Sequence, residues 1–144
     1  LDNDWRGNVE LKALPTRDKG ELMVQKTVTL IEEMEMEERV IISSFNHHYL
    51  RQVRALNPRI ATAVLSWRGI RDPVRYLTEV GAQACNPRRS AVRAKKVQAL
   101  RSAGFDVYVW TVNDEKTTRK LIGMGVSGII TDFPQTLTKV LGRW

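Results

Sequence analysis

The stretch DVYVWTVNDEKTTRKLIGMGVSGIITDFP, residues Asp106–Pro134, spans one complete strand–helix–strand unit. The apolar residues of DVYVW predict a strand, EKTTRKLIGMG predicts a helix ending at Gly125, and GIIT predicts the next strand. Crossovers of this kind are right-handed and return the chain to the same strand direction, so the two strands are expected to be parallel. The stretch therefore predicts a parallel α/β protein.

The same alternation runs through the rest of the chain. Other strands are predicted in NVELK (Asn8–Lys12), VIISSF, IATAVL and AQAC. Other helices are predicted in KGELMVQKTVTLIEEMEMEER, in HHYLRQVRAL, after the Asp72 and Pro73 start signal, in SAVRAKKVQALRSAG with Ser90 as its N-cap, and in PQTLTKVLG. The first of these helices carries a predicted apolar stripe, formed by Leu22, Val28, Leu30, Ile31 and Met34.

The pattern amounts to six βα units within 144 residues. Six strands make a complete open sheet, whereas a TIM barrel needs eight units and roughly 250 residues. Both architectures remain open at this point. The length favours a single domain covering residues 1–144.

Composition narrows the classes of protein. Hydrophobic residues make up 42% and charged residues 27% of the chain, as in ordinary globular domains. No apolar run reaches the length of about 18 residues that a membrane span needs, so we expect no stable membrane insertion. The single cysteine, Cys85, has no partner for an internal disulfide and is expected to be a buried structural thiol. Because nothing in the sequence demands an oxidising compartment, we expect a cytoplasmic location. Because the chain starts at Leu1 rather than Met, we expect it to be a piece of a longer polypeptide.

Polar and aromatic residues collect where the predicted strands end. They are Glu10, Lys12, Ser43, Ser44, Phe45, Asn86, Trp110, Thr111, Asn113, Thr131 and Asp132. The carboxyl ends of parallel strands share one edge, and ligands bind there. We therefore expect Glu10, Phe45 and Trp110 to converge on one rim. Individually, Asn113 or Asp114 could instead cap a helix, Asp132 could shape a turn, and the aromatic residues could belong to the core.

Glu10 and Lys12 fit the binding-site interpretation best. They share one face of a strand that is expected to be buried, where an unpaired charge costs several kcal/mol. A divalent cation bound by the carboxylate and a phosphate facing the lysine would explain both charges. A salt bridge between the two side chains is the alternative.

The motifs NVELK, VIISSF, VYVWTVND and GVSGIITDFP occur in the order and spacing of the glycerophosphodiester phosphodiesterase family, which this chain resembles from Asn8 to Pro134. The pair WTVN and GIITDFP is the most specific part. The resemblance implies a TIM barrel that hydrolyses glycerophosphodiesters to glycerol 3-phosphate and an alcohol with a divalent metal, Mg or Ca. The six units would be strands three to eight of the barrel.

The resemblance also implies roles for four residues. Glu10 matches a metal-binding glutamate, Lys12 a catalytic lysine near the metal and the phosphate, and Phe45 and Trp110 the apolar wall of the glycerol pocket. The family's His-Arg, its Glu-x-Asp and its second histidine, which supply two metal ligands and the acid/base pair, have no counterpart here. His47 and His48 open a helix, and we expect them to be surface residues.

Three functions are compatible with these sequence features. The first is part of a metal-dependent glycerophosphodiesterase in lipid and glycerol metabolism, with this fragment inactive alone. The second is a non-catalytic partial barrel that binds or assembles with a partner. The third, a nucleic-acid binder, is suggested only by the net charge of +7 and lacks a recognition motif, so we expect no nucleic acid as a partner. Expected partners are the substrate and either the missing N-terminal segment or a second copy of the chain.

Overall fold

A computed structural model describes residues 6–142. The chain divides into two compact units. The N-terminal unit comprises the chain up to Leu65 together with Leu77–Ala84, and the C-terminal unit comprises Ser66–Tyr76 together with the chain from Cys85 onward. The expectation that the chain is a piece of a longer polypeptide rests on Leu1, which lies outside the described residues. The single domain of residues 1–144 stays a prediction.

Parallel strands and two amphipathic helices build the N-terminal unit. In chain order they are β1 (Gly7–Glu10), α1 (Arg17–Glu33), β2 (Val40–Ser44), α2 (His47–Leu56) and β3 (Ala61–Ser66). β2 pairs with β1 on one side, where Val9 faces Ile42, and with β3 on the other, where Ile42 faces Thr62. The β-branched run VIISS suits this central position, because a parallel strand is covered on both faces.

The core of the N-terminal unit consists of side chains from β2, β3 and the inner faces of α1 and α2. Ile42, Leu50, Val53 and Val64 are fully buried. α1 buries Gly20, Val24, Val28 and Ile31. Their spacing of three and four residues places them on one side of the helix, which is the side that packs inward.

The structure corrects two predictions about α1. The helix ends at Glu33 rather than continuing to Arg39, because Met34 is its C-cap and Glu35 adopts the left-handed region with φ of 54°. The predicted stripe is right for Val28 and Ile31 but wrong for three of its members. Leu22, Leu30 and Met34 are 50%, 55% and 57% exposed. They lie on a different side of the helix from the buried set.

The C-terminal unit repeats the βα pattern. In chain order its elements are β4 (Ala84–Pro87), a short 3₁₀ helix (Arg89–Ala91), α4 (Ala94–Ser102), β5 (Asp106–Val109), α5 (Glu115–Gly123), β6 (Gly128–Ile129) and α6 (Pro134–Val140). The first residue of β4, Ala84, belongs to the N-terminal unit. β5 and β6 are parallel, with Val109 facing Ile129. Arg88, just after β4, forms a parallel bridge with Trp110.

Helix ends in this part of the chain confirm one prediction and correct another. Helix α3 (Pro73–Val80), which is divided between the units, begins as predicted, and Asp72 Oδ1 accepts a hydrogen bond from the Arg75 backbone N–H at 3.2 Å. Ser90, predicted as the N-cap of the following helix, instead lies in the 3₁₀ helix. α4 begins only at Ala94, because the chain from Arg88 to Arg93 is held in 3₁₀ and extended conformations.

Residues 6–142 contain the predicted six strands, each followed by an α-helix. In this part of the chain, none of the helices combines the length and the hydropathy needed to cross a bilayer.

Candidate functional site

Glu10 and Lys12 lie at the carboxyl end of β1, and both are exposed. The strand alternates as predicted, with Leu11 buried between them. Burial of the two charges, however, is not observed, because among residues 6–142 β1 pairs with β2 only. Neither side chain forms an ion pair with any residue from 6 to 142, so the salt-bridge alternative finds no support in that range. The Glu10 carboxylate and the Lys12 amine are therefore accessible to a ligand.

Ser43 and Ser44, at the end of β2, have structural roles. Both are buried. Ser43 Oγ donates to Asn8 Oδ1 at 2.9 Å, and Ser44 Oγ donates to the Leu11 backbone oxygen at 2.6 Å. These hydrogen bonds attach the end of β1 to the end of β2 and hold the backbone that carries Glu10. Both hydroxyls therefore donate to the segment formed by β1 and Leu11 rather than facing a ligand.

Phe45 follows β2 directly and is half-buried. Ser43 lies opposite Glu10 in the β1–β2 ladder, so Phe45 and Glu10 end neighbouring strands at the same edge of the N-terminal unit. The two histidines next to them differ from each other. His48 is exposed as predicted, whereas His47 is half-buried and its Nε2 lies 2.9 Å from the Leu65 backbone oxygen. His47 is therefore not the free surface residue that the sequence suggested.

Trp110 lies at the carboxyl end of β5 in the C-terminal unit and is held by three polar contacts. Its indole Nε1 donates to the Asn86 backbone oxygen at 2.7 Å. Its backbone N–H donates to Pro87 O at 3.2 Å, and its backbone oxygen accepts from the Arg89 N–H at 2.8 Å. The ring is thereby fixed against the end of β4. Convergence of Trp110 with Glu10 and Phe45 on one rim stays a prediction.

Trp67 and Arg88 are site candidates that the sequence reasoning missed. Trp67 follows β3 directly, is 57% exposed, and meets Trp110 edge-on with ring centroids 4.9 Å apart. The Arg88 guanidinium lies 5.7 Å from the centre of the Trp67 ring, within the range of a cation–π interaction. The sequence signal for Trp67 is its position at the end of the predicted strand IATAVL, the same signal that identified the other candidates.

The polar residues after Trp110 have two different structural roles. Asp114 caps α5, accepting the Thr117 backbone N–H at 2.8 Å, and this hydrogen bond lowers the pKa of the Asp114 carboxyl. Asn113 instead joins the loop after β5 to the loop after β6. Its Nδ2 donates to Asp132 Oδ2 at 2.8 Å and its Oδ1 accepts from the Thr131 hydroxyl at 3.1 Å. The capping interpretation is thus correct for Asp114 and wrong for Asn113.

Two buried groups near the end of β4 have contrasting chemistry. Burial raises the pKa of the Cys85 thiol to about 12, so it stays protonated and unreactive at neutral pH, in agreement with the predicted structural role. Asn86 is 1% exposed, and its Oδ1 accepts no hydrogen bond within the part of the chain that is described. Such an orphaned acceptor is uncommon in a folded protein.

The donor set for a metal ion is incomplete. Magnesium and calcium bind six or more oxygen ligands, so a single carboxylate makes a poor site for either ion. From Arg6 to Gly142, no three His, Cys, Asp or Glu side chains are grouped so that they could hold a metal. Glu10 alone offers one carboxylate at the predicted position. The described residues therefore do not form a metal site by themselves.

Comparison with known proteins identifies the class of protein that has this arrangement. Residues 3–136 match the model of the glycerophosphoryl diester phosphodiesterase family. A glycerophosphodiester phosphodiesterase of Caldanaerobacter subterraneus is 32% identical over 142 residues, which are 99% of this chain and 58% of that protein. One from Bacillus altitudinis is 35% identical over 135 residues, 92% of this chain and 54% of that protein.

The fold agrees with the family. A crystal structure of a glycerophosphodiester phosphodiesterase from Parabacteroides distasonis matches 95% of this chain and 57% of its own chain with a TM-score of 0.85 and 25% identity. The chain belongs to the glycerophosphoryl diester phosphodiesterase family. Its parallel βα repeats are of the TIM-barrel type, as predicted, and it spans a little over half the length of these relatives.

Proposed function

We propose that this chain supplies part of the active site of an enzyme that hydrolyses glycerophosphodiesters to glycerol 3-phosphate and an alcohol. The observation that carries the proposal is the family match over residues 3–136, with relatives named glycerophosphodiester phosphodiesterases. The chain spans 58% and 54% of the two relatives, so the complete reaction is assigned to a longer protein.

Phe45 and Trp110 are proposed to form the apolar wall that receives the glycerol carbons. The anchored position of Trp110 supports this role, because a ring held by the Asn86 carbonyl loses little freedom when a substrate binds. Phe45 is half-buried at the end of β2, so part of its ring remains accessible to a ligand. Contact between the glycerol carbons and these rings is favourable, because it removes apolar surface from water.

Glu10 is proposed to be one ligand of a divalent metal, Mg or Ca, and Lys12 to face the phosphate as a catalytic residue. Both side chains are exposed at the end of β1 without an ion-pair partner in the described range, which supports their availability. Because one carboxylate is not enough, the other metal ligands and the acid/base groups are proposed to come from polypeptide outside residues 6–142.

The test is an activity assay of a fusion between this chain and the part of the Bacillus altitudinis relative that it does not match. Release of glycerol 3-phosphate from glycerophosphocholine is measured with added Mg²⁺ or Ca²⁺. Lys12→Met should lower kcat by about 10²-fold or more, as for a lost electrostatic stabiliser of a transition state. Glu10→Gln should raise the metal concentration that gives half-maximal activity.

Lys139→Met, in α6, serves as the matched control because Lys139 is an exposed lysine outside the strand ends. It should leave kcat unchanged. An active fusion in which Lys12→Met and Lys139→Met behave alike would refute the role of Lys12. Substrate binding without turnover in the fusion would favour the second candidate, a partial barrel that binds or assembles with a partner, which the incomplete donor set also favours.

A further inference from the structure

An open cavity of about 380 Å³ lies beside Trp67 within the C-terminal unit. One wall is Trp67 and Arg68, from the loop that follows β3. The other wall contains Ser90, Arg93 and Lys96, from the segment that leads from β4 into α4. The cavity thus combines an aromatic ring, a hydroxyl and three cations, and none of its lining residues is acidic.

None of the three cations forms an ion pair within the described part of the chain. Lys96 Nζ donates a short hydrogen bond to the Ile70 backbone oxygen, and Arg93 donates to the Ser90 and Val92 backbone oxygens at 3.0 Å and 2.8 Å. These carbonyls orient the side chains without neutralising their charge. Arg68 makes no hydrogen bond or ion pair with any residue between 6 and 142. The cavity therefore concentrates three positive charges that form no ion pair with the carboxylates of residues 6–142.

The charges are also unfavourable for the helix that carries them. Arg93 is the N-cap residue of α4, Lys95 and Lys96 lie in its first turn, and that turn has no acidic residue. The amino end of a helix carries partial positive charge, so cations there oppose the helix dipole. Helix stability does not account for this placement, whereas an anion in the cavity does.

We propose that this cavity binds a phosphomonoester. The phosphate interacts with Arg68, Arg93 and Lys96, and the organic part lies against Trp67. A phosphomonoester carries close to two negative charges at neutral pH, which matches a site with several cations. Guanidinium groups bind phosphate through paired hydrogen bonds, and the exposed Trp67 ring offers an apolar surface. Trp67 also contacts Trp110, which belongs to the proposed function, whereas Arg68, Arg93 and Lys96 have no role there, so either proposal can fail alone.

The test is calorimetric titration of the purified 144-residue chain with glycerol 3-phosphate and with inorganic phosphate at low ionic strength. Both should bind at one site. Arg68→Gln should weaken both about tenfold, the loss expected for a charged hydrogen bond. Trp67→Ala should weaken glycerol 3-phosphate but leave inorganic phosphate nearly unchanged. Arg71→Gln, in the same loop but outside the cavity lining, should bind both anions like the wild type.

Loss of folding does not confuse the result, because Arg68 is exposed and has no polar partner in the described chain; circular dichroism checks each variant. The proposal is overturned if neither anion binds to the wild-type chain. Equal weakening by Arg68→Gln and Arg71→Gln would also overturn it, because binding would then reflect general surface charge. Vesicles of phosphatidylcholine and phosphatidylglycerol form a third arm: capture by these vesicles without binding of either small anion overturns the proposal and assigns the surface to membranes.

Discussion

Trp110 is positioned by the backbone of the neighbouring strand. Its Nε1 donates to the backbone oxygen of Asn86, a residue that is 1% exposed. Trp110→Phe keeps an aromatic ring but leaves this buried acceptor without its donor, so we expect a loss of about 1–3 kcal/mol in the free energy of unfolding. Urea denaturation measures it. Trp67→Phe, at the exposed neighbouring ring, should cost less; the reverse order would contradict the anchoring role.

Asp114 makes stability depend on pH. The Thr117 backbone N–H, followed by weaker contributions that include Arg89, lowers the pKa of the carboxyl below its ordinary value of 3.8. Because the folded-state pKa is the lower one, the stabilisation is complete above the unfolded-state pKa and is lost as the pH falls through the folded-state pKa. The urea midpoint of the wild type should therefore fall as the pH is lowered from 5 toward 3.

Asp114→Asn separates the cap from the charge, because asparagine caps helices without titrating. Its urea midpoint should fall less steeply over the same pH range, while Asp114→Ala should be less stable than the wild type at pH 7. Identical pH dependence of the wild type and Asp114→Asn would show that another carboxylate is responsible.

Between elements, α1 packs tightly against α2 at Gly20. A β-carbon at this position would clash with the Tyr49 hydroxyl oxygen and lie 2.8 Å from the Tyr49 ring. Tyr49 is buried and accepts a hydrogen bond from the Leu14 N–H at 3.2 Å, so it has little freedom to move. Gly20→Ala should therefore lower the free energy of unfolding by about 1–3 kcal/mol, the usual cost of overpacking, despite the better helix propensity of alanine.

Gly123→Ala is the matched control. Gly123 is also helical, but a β-carbon there would meet no other atom within 4 Å. This variant should be as stable as the wild type or slightly more stable in the same thermal or urea unfolding experiment. If Gly20→Ala were equally well tolerated, the close packing of α1 on Tyr49 would be wrong.

Sequence patterns predicted the helices and strands better than they predicted which of their side chains are buried. The strand in VIISSF follows from β-branched residues, and the end of α4 from Gly104, which adopts φ of 87° just after the helix. α1 shows what a pattern leaves undecided. Its sequence offers two apolar sides, one with Val24 and one with Leu30, and only tertiary packing decides which is buried. The predicted stripe mixed members of both sides.

For the molecule as a whole, the site was predictable only in part. Strand-end position singled out Glu10, Phe45 and Trp110 as candidates, and each lies at the end of its strand; their joint role in one site stays a prediction. The cavity beside Trp67 was not predicted, since its cations come from the loop after β3 and from the start of α4, whose proximity no local pattern encodes. Burial of Glu10 was predicted wrongly because it depends on which strands flank β1, and that is a property of the assembled sheet.

The N-terminal unit presents surfaces that favour association. Within the described chain β1 pairs with β2 only, and Leu22, Leu30 and Met34 expose half or more of their surface on α1. Unpaired strand edges and exposed apolar patches promote binding to another chain. We expect the purified chain to self-associate at micromolar concentration, with a dimer mass in light scattering. Leu30→Glu should shift the mass toward the monomer, whereas Ile122→Glu, on α5, should not. A monomeric wild type would disprove self-association.

The most direct measurement is hydrolysis of glycerophosphocholine by the purified 144-residue chain with Mg²⁺ or Ca²⁺ present, after circular dichroism has shown that the chain is folded. We propose that the chain carries Glu10, Lys12, Phe45 and Trp110 of a glycerophosphodiesterase site but not the acid/base groups. General acid–base catalysis alone is worth about 10²–10⁴-fold, so the predicted result is no glycerol 3-phosphate above background. Robust metal-dependent turnover by the chain alone, abolished by His47→Ala or His48→Ala, would contradict the claim.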